Sequence, residues 1–304
     1  MEQQKIEDLI GNTPLVRLQE IERQFHLKAK VYAKIESKNL GGSIKDRVAQ
    51  SIIDDAEKKG LLKKGGTIIE ATSGNTGIGL ALLASLRGYK AIIVMPDTMS
   101  KERIKMITAY GGEVVLTDGK LGMQGAVEQA QKLQRQTPNS ILADQFNNPA
   151  CVNVHFERTG KEIYAQTDGN VDIFVAGIGT GGTVTGAGKY LKFKNKQTKV
   201  IGVEPASSPL LTQGVAGPHA IQGIGANFIP TILDVNLLDD VLTVTDEEAL
   251  YYTKVVSKTE GLFVGLSSGA CLCAGIQLAS MEENTDKTIV LIFPDDGGRY
   301  LSIL

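Results

Sequence analysis

The stretch DIFVAGIGTGGT, residues 172–183, decides the fold. An apolar run ends at Ala176 and leads at once into a glycine-rich loop, as is typical of a buried parallel strand followed by a helix. Short apolar runs of the same kind recur, with amphipathic segments between them, at residues 31–36, 67–71, 91–95, 113–117, 199–204 and 288–293. We therefore predict an α/β fold of mostly parallel, twisted sheets covered by helices. Such sheets bind ligands at the carboxyl ends of their strands.

The composition is typical of a globular protein. The chain has 304 residues, 42% of them hydrophobic, which suits one large or two modest domains. Its net charge of -2 gives no general attraction to nucleic acid or to an anionic membrane. The first residues lack the basic start and apolar core of a secretory signal, so we expect a cytoplasmic protein. The uncharged stretch 261–281 contains four glycines and three serines, and we interpret it as a buried loop and helix.

Neither the cysteines nor the histidines indicate a metal site. Cys271 and Cys273 have the wrong spacing for a redox pair or a zinc site, and Cys151 makes the number odd. We interpret all three as small buried hydrophobic residues, which fits a reducing compartment. The three histidines are scattered along the chain, which argues against a histidine metal site and against a Ser-His-Asp arrangement.

Two loops rich in hydroxyl groups precede predicted helices. The loop TSGNTG, residues 72–77, follows an apolar run and offers hydroxyls, an amide and backbone donors that suit a carboxylate or a phosphate. The loop GLSSGA, residues 265–270, carries two serines and no charge, so it can hydrogen-bond a ligand heteroatom without forcing its protonation. Ordinary helix N-caps explain either loop as well, and the residues leave both interpretations open.

The glycine-rich loop at residues 177–183 has two interpretations. Gly177, Gly179 and Gly182 satisfy the dinucleotide pattern G-x-G-x-x-G, and Glu204 lies 22 residues beyond Gly182, where a ribose-binding acid would sit. A dehydrogenase is therefore one hypothesis. The hydroxyls of Thr180 and Thr183 suit a terminal phosphate better than a bridging pyrophosphate, which favours a phosphate-bearing ligand instead.

Lys45 lies in GGSIKDR, residues 41–47, where two glycines lead into a predicted helix. A cation in the first turn opposes the helix dipole, at a cost of roughly 0.3–1 kcal/mol. Asp46 could offset that cost, and Lys45 would then be an ordinary surface lysine. The alternative is a partly desolvated lysine that bonds covalently to a carbonyl cofactor.

Taken together, these motifs resemble the cysteine synthase and cystathionine β-synthase family of pyridoxal-phosphate enzymes. The resemblance covers essentially the whole chain in six ordered segments: residues 10–18, 41–47, 72–77, 179–183, 222–230, and 267–270 with 299–302. It implies a two-domain pyridoxal-phosphate enzyme of fold type II. Residues 40–148 would form a smaller, mobile domain with the substrate carboxylate loop. Residues 1–39 and 149–304 would form a larger domain with the phosphate cup and the pyridine-nitrogen site.

The resemblance also implies roles for individual residues. Lys45 would bond covalently to the cofactor and act as the catalytic base. Asn75 would contact the ring oxygen, and Ser267 would face the pyridine nitrogen. The phosphate would be held by Gly179, Thr180, Gly181, Gly182 and Thr183. The substrate would be bound by Thr72, Ser73, Gly74, Thr76, Gln145 and Gly223. No metal is expected.

The reaction implied by the resemblance is β-replacement at serine derivatives through an aminoacrylate. A neutral serine at the pyridine nitrogen leaves the ring a weak electron sink, which favours loss of a β-leaving group. Cysteine synthesis from O-acetylserine and sulfide is the first expectation. Cystathionine formation and release of hydrogen sulfide from cysteine are the alternatives within the class, and a cofactor-bearing scaffold that binds a partner protein is an alternative outside enzymes. A homodimer is implied, and so is a site for the tail of serine acetyltransferase.

The chain departs from the commonest cysteine synthase pattern in three residues. Leu40 replaces a proline before the Gly-Gly-Ser segment, and Asp295 and Asp296 replace neutral residues near the end. We expect the two carboxylates to lie near the mouth of the site. There they would disfavour a bare sulfide anion and change the choice of acceptor.

Overall fold

The structure is a computed structural model, and it describes residues 5–98 and 101–303. The chain divides into two compact units. The first unit comprises Asn39–Ala150 and the N-terminal segment that ends at Ile10. The second comprises Gly11–Lys38 and the part of the chain that follows Ala150. In the N-terminal segment, Glu7 forms an ion pair with Arg87 of the same unit at 2.7 Å.

Strands and helices alternate along most of the described chain. The strands are β1 (Leu15–Arg17), β2 (Lys30–Ile35), β3 (Thr67–Ala71), β4 (Lys90–Pro96), β5 (Glu113–Thr117), β6 (Ser140–Leu142), β7 (Ile173–Gly177), β8 (Lys199–Pro205), β9 (Asp240–Val244) and β10 (Thr288–Phe293). The helices are α1 (Gln19–Gln24), α2 (Lys45–Lys58), α3 (Asn75–Arg87), α4 (Lys101–Ala109), α5 (Gly122–Gln136), α6 (Ala150–Val154), α7 (Lys161–Gln166), α8 (Gly182–Lys194), α9 (Leu210–Gln213), α10 (Asp246–Thr259) and α11 (Leu266–Ala279). A π-helical segment, His155–Gly160, joins α6 to α7.

The first unit contains a four-stranded parallel sheet in the order β5-β4-β3-β6. Its strands are short apolar runs, and Ile69 and Val94 pack with Ala126 and Ala130 of α5 in one buried cluster. Helix α2 buries one face, including Val48 and Ile52. Burying one such side chain contributes roughly 1.5–3 kcal/mol. The sheet thereby sets the carboxyl ends of β3 and β6 side by side.

The second unit contains a six-stranded sheet in the order β1-β2-β10-β7-β8-β9. Strand β1 is antiparallel to β2, and the other neighbours are parallel. Its core includes Val175, Ile201, Leu272 and Leu291. Every residue of α11 except Gln277 is buried, so the prediction of a buried helix within residues 261–281 is confirmed. The prediction of a buried loop is wrong for Gly261 and Phe263, which are exposed. Across the described ranges, no helix is long and apolar enough to cross a membrane. The predicted α/β fold with parallel, helix-covered sheets is confirmed.

Candidate active site

The three loops that the sequence analysis identified, at residues 72–77, 177–183 and 265–270, each lead into a helix whose N-cap residue is a glycine. Helices α3, α8 and α11 have Gly74, Gly181 and Gly265 as N-cap residues, and none receives a side-chain cap at that position. The N-cap interpretation of the Thr72 and Ser267 loops is therefore wrong. The first backbone N–H groups of a helix lack intrahelical partners, and they form a positive end suited to an anion.

In the first unit, the loop after β3 meets the segment after β6. Thr76 Oγ1 donates to Gln145 Oε1 at 2.6 Å, and both side chains are buried. Thr72 is buried too, and its Oγ1 accepts from the N–H of Gly74 at 3.1 Å. The structure therefore brings Thr72, Thr76 and Gln145 together, although Gln145 lies 69 positions from Thr76 in the sequence.

A buried carboxyl group lies beside the cluster of Thr72, Thr76 and Gln145. Glu70, on β3, accepts from the backbone N–H of Asp144 at 2.7 Å. Burial raises the pKa of Glu70 to about 8, and the Asp144 carboxylate adds to the effect, while the amides of Asp144 and Gln145 oppose it. Sequence reasoning missed Glu70.

A buried cation lies against the same loop. Arg103, on α4, donates from Nη1 to the backbone oxygen of Ser73 at 3.0 Å. Its side chain is almost fully buried. A guanidinium in a poorly solvated position adds positive potential, which favours an anion at the start of α3. Arg103 was also missed, because nothing in its local sequence marks it.

Lys45 is the first residue of α2 and is half-buried. Helix α3 packs closely against it, because a Cβ added to Gly79 would lie only 3.1 Å from the backbone oxygen of Lys45. Asp46 is fully buried, and its Oδ2 accepts from the N–H of Gly41 at 2.7 Å. The first turn of α2 therefore lies in the packed interior of the unit beside α3. An ordinary solvated surface lysine does not fit this position.

In the second unit, the loop after β7 is a cradle that excludes side chains. A Cβ added to Gly179 would lie 2.3 Å from the backbone oxygen of Gly223, and one added to Gly182 would lie 2.9 Å from that of Cys151. Gly181 has φ of +82°, which L side chains rarely adopt. Thr180 Oγ1 accepts a long contact of 3.4 Å from Gly182 N–H. The loop is thus held by close backbone packing, and the first N–H groups of α8, which have no side-chain cap, suit a phosphate.

Ser267 lies close to the same cradle. It is in the first turn of α11 and is 3% exposed. A Cβ added to Gly223 would lie 4.0 Å from Ser267 Oγ. Gly179, Gly223 and Ser267 are therefore neighbours within the second unit. The neighbouring hydroxyl of Ser268 is fully buried and has no hydrogen-bond partner among the described residues.

Asp295 is used within the fold, so the expectation of two carboxylates at the mouth of the site is wrong for this residue. Asp295 is 1% exposed and accepts a hydrogen bond of 2.5 Å from Tyr300 Oη. Its Oδ1 occupies space beside Gly265, where an added Cβ would approach it to 2.3 Å. Asp296 accepts from the N–H of Gly298 at 2.8 Å and caps the turn that follows.

The dinucleotide interpretation of the second loop is contradicted by Glu204. Its carboxylate is buried and accepts from the N–H groups of Leu211 and Thr212 at 2.9 and 3.0 Å, and from the Thr212 hydroxyl at 2.6 Å. The Glu204 carboxylate therefore binds the backbone at the start of α9. A carboxylate so engaged is not available to bind a ribose hydroxyl.

The cysteines are buried, as predicted. Burial raises the pKa of both Cys271 and Cys273 to about 12, and Cys151 is fully buried. A thiol that stays protonated is a poor nucleophile and a poor metal ligand. Among the described residues, no group of three or more His, Cys, Asp or Glu side chains is placed to hold a metal ion.

In the second unit, the glycine cradle at the uncapped start of α8 fits a phosphate group. In the first unit, a half-buried lysine begins α2. A family model described as "Pyridoxal-phosphate dependent enzyme" matches residues 6–295. The chain therefore belongs to the pyridoxal-phosphate-dependent enzymes.

Within that family it is similar to cysteine synthase A of Escherichia coli K12, with 46% identity over 96% of this chain and 92% of the relative. Among solved structures, cysteine synthase of Entamoeba histolytica has a TM-score of 0.96 at 42% identity and covers 100% of this chain and 90% of that one. A hydrogen sulfide-producing enzyme of Fusobacterium nucleatum has a TM-score of 0.93 at 43% identity, covering 98% of this chain and 99% of that one.

Proposed function

We propose that the chain is a cysteine synthase, which makes cysteine and acetate from O-acetylserine and sulfide by β-replacement. The observation that carries the proposal is the Thr76–Gln145 pair at the uncapped start of α3, with Arg103 beside the loop. This is a site for a small carboxylate next to a half-buried lysine on α2. The similarity to proteins named cysteine synthase supports the same reaction.

Residues in each of the two units would hold the cofactor. In the first, Lys45 would bond to its aldehyde carbon and Asn75 would donate to its ring oxygen. In the second, the cradle of residues 179–183 would bind its phosphate, and Ser267 would face its ring nitrogen. Bound pyridoxal phosphate supplies an electron sink for the bonds at the substrate α-carbon.

The other assigned residues bind and orient the substrate. Its carboxylate would accept hydrogen bonds from the loop N–H groups and hydroxyls of residues 72–76. It would also accept a hydrogen bond from the side-chain amide of Gln145. Gly223 would contact the substrate. Lys45 Nζ removes the proton from the substrate α-carbon and later returns it, as a general base and acid. Closure of the smaller domain on the bound carboxylate would exclude water.

A second candidate is release of hydrogen sulfide from cysteine, which would use the same residues. The similarity to the Fusobacterium nucleatum enzyme supports it. The two reactions differ in the leaving group, acetate or sulfide, and in the nucleophile that follows. The described geometry is common to both.

One experiment separates these candidates. The purified holoenzyme is incubated with O-acetylserine plus sulfide, with cysteine alone, and with serine plus homocysteine, and the products are identified by mass. Cysteine formation that exceeds sulfide release under matched conditions supports the first candidate. In parallel, borohydride reduction and peptide mapping should place the cofactor on Lys45. A tag on another lysine, or no tag, would remove the basis of the proposal.

Three further features belong to this proposal through the family resemblance. They are a homodimer, a cytoplasmic location, and binding of the C-terminal tail of serine acetyltransferase. Light scattering after gel filtration measures the assembly, and titration with a synthetic tail peptide measures the interaction. A monomer, or a peptide that does not compete with O-acetylserine, would contradict the corresponding feature.

A further inference from the structure

A buried histidine lies directly behind the phosphate cradle of the second unit. His155 begins the π-helical segment, and none of its surface is exposed. Its Nε2 lies 3.2 Å from Thr183 Oγ1, and its Nδ1 lies 2.9 Å from Oγ1 of Thr159, which is also fully buried. Short π-helical turns inside helices occur frequently at functional sites. The ring therefore bridges two hydroxyls, one of which belongs to the cradle.

Close packing holds the ring at this place. A Cβ added to Gly186 of α8 would lie 2.7 Å from His155 Cβ and 2.2 Å from the backbone oxygen of Val152. Gly182, at the start of α8, approaches Cys151 in the same way, with 2.9 Å to its backbone oxygen. The first turns of α8 thus lie against residues 151–156 with no space for adjustment. The distance from the ring to Thr183 is set by backbone packing.

The hydrogen-bond inventory of the ring decides what Thr183 can offer a ligand. A hydroxyl has one proton, and a neutral imidazole has one donor and one acceptor nitrogen. If Nε2 is the acceptor, the Thr183 proton is directed at the ring, and only lone pairs face an anion. If Nε2 carries a proton, it donates to Thr183 Oγ1, and the Thr183 proton is directed outward. Only the second arrangement attracts a phosphate dianion.

We infer that His155 is the positioning residue of the phosphate cradle: it donates from Nε2 to Thr183 and so directs the Thr183 hydroxyl proton to the phosphate. In the neutral ring, Nδ1 then accepts the proton of Thr159. The inference rests on the proposed function, because it takes residues 179–183 as the cofactor phosphate site. It assigns His155 no contact with the substrate or the cofactor.

Nitrogen NMR of the wild-type protein tests the inference without a mutation. The chain has three histidines, so protein labelled with ¹⁵N-histidine gives three ring systems. Spectra are recorded of the apoprotein, of the apoprotein with inorganic phosphate, and of the holoenzyme, and the His155→Gln variant assigns the signal. We expect Nε2 of His155 to be protonated in both phosphate-containing samples. An unprotonated Nε2 in the holoenzyme overturns the inference.

Two variants separate positioning from packing. His155→Gln keeps an N–H near Nε2, whereas His155→Leu keeps bulk without a donor. We expect the Kd of pyridoxal phosphate to rise roughly tenfold or more in His155→Leu and to stay near the wild-type value in His155→Gln. Pyridoxal, which lacks the phosphate, should bind all three proteins equally. Equal weakening of both ligands would show a merely structural role and overturn the inference.

These results are distinguishable from a failure of the proposed function. A wild-type protein that takes up no pyridoxal phosphate on Lys45 refutes the function. A protein that takes it up on Lys45 while Nε2 is unprotonated refutes the role of His155 alone. If His155→Leu does not fold, the wild-type spectra still decide.

Discussion

Replacing Glu70 with glutamine should remove part of the dependence of folding stability on pH. Burial raises the pKa of Glu70 from its ordinary 4.5 to about 8. Between these pH values the folded protein retains a proton that the unfolded chain has released. The contribution of Glu70 to stability is therefore fully present below about pH 4.5 and is lost as the pH rises through about 8. A glutamine, which does not titrate, removes this loss.

The magnitude follows from the raised pKa. One pKa unit corresponds to roughly 1.4 kcal/mol, so wild type should lose about 4 kcal/mol relative to Glu70→Gln between pH 5 and pH 8. At pH 5 we expect the variant to be equal to wild type or less stable by about 1 kcal/mol. The reason is that the glutamine side chain has one oxygen that accepts hydrogen bonds, whereas the carboxyl group of Glu70 has two. The two stability curves should therefore cross as the pH rises.

Urea unfolding of the two holoenzymes, followed by circular dichroism at several pH values, measures this difference. The chain contains no tryptophan, so far-ultraviolet dichroism is the suitable signal. Glu283→Gln is the matched control, since Glu283 is exposed and its substitution should give a curve parallel to that of wild type. Parallel curves for Glu70→Gln as well would refute the reasoning, because Glu70 would then be ionised in both states.

Three further substitutions test the geometry. Gly179→Ala should weaken pyridoxal phosphate binding at least tenfold and cost about 1–3 kcal/mol, because its Cβ meets the Gly223 oxygen at 2.3 Å. A cofactor titration in which it matches Gly74→Ala, whose Cβ meets only Thr72 Oγ1 at 3.8 Å, would contradict this. Thr76→Val removes the donor to Gln145 and should raise the KM for O-acetylserine roughly tenfold at unchanged cofactor affinity; an unchanged KM would argue against the carboxylate site. Tyr300→Phe removes the hydroxyl that donates to buried Asp295 and should lower the free energy of unfolding by about 1–3 kcal/mol, as measured by thermal melts. Tyr251→Phe is the control, because Tyr251 is exposed. An equal loss in both variants would show that the hydrogen bond to Asp295 is not the cause.

The fold was predictable where local sequence and burial agree. All seven apolar runs form strands. Six of them are mostly buried in a parallel sheet and so read as continuous apolar segments, whereas β5 is a sheet edge with exposed Glu113 and Leu116. Strands β1, β6 and β9 were not predicted. The first two have three residues each, and β9 is a sheet edge whose residues are mostly half-buried.

The loops of the site were predictable, but the side chains that support them were not. Loops rich in glycine and hydroxyl side chains can be recognised in the sequence when they directly follow predicted strands. Glu70 is 74 positions from Asp144, Arg103 is 30 from Ser73, and His155 is 28 from Thr183. Each contact exists only because the fold brings distant segments together. No local pattern distinguishes these three side chains from ordinary core or surface residues.

The strand order of the second unit has a consequence for biosynthesis. Strand β10 lies between β2 and β7, near the middle of its sheet, yet it is the last of the described strands to leave the ribosome. The four strands of the first unit are complete by Leu142, and translation adds about 5–20 residues per second, so that sheet can close many seconds before the other. Until then, β2 and β7 each expose an unpaired edge. A nascent chain of this protein should therefore depend on chaperones that cover the exposed edges of β2 and β7. Chains truncated before Thr288 should aggregate through the incomplete six-stranded sheet.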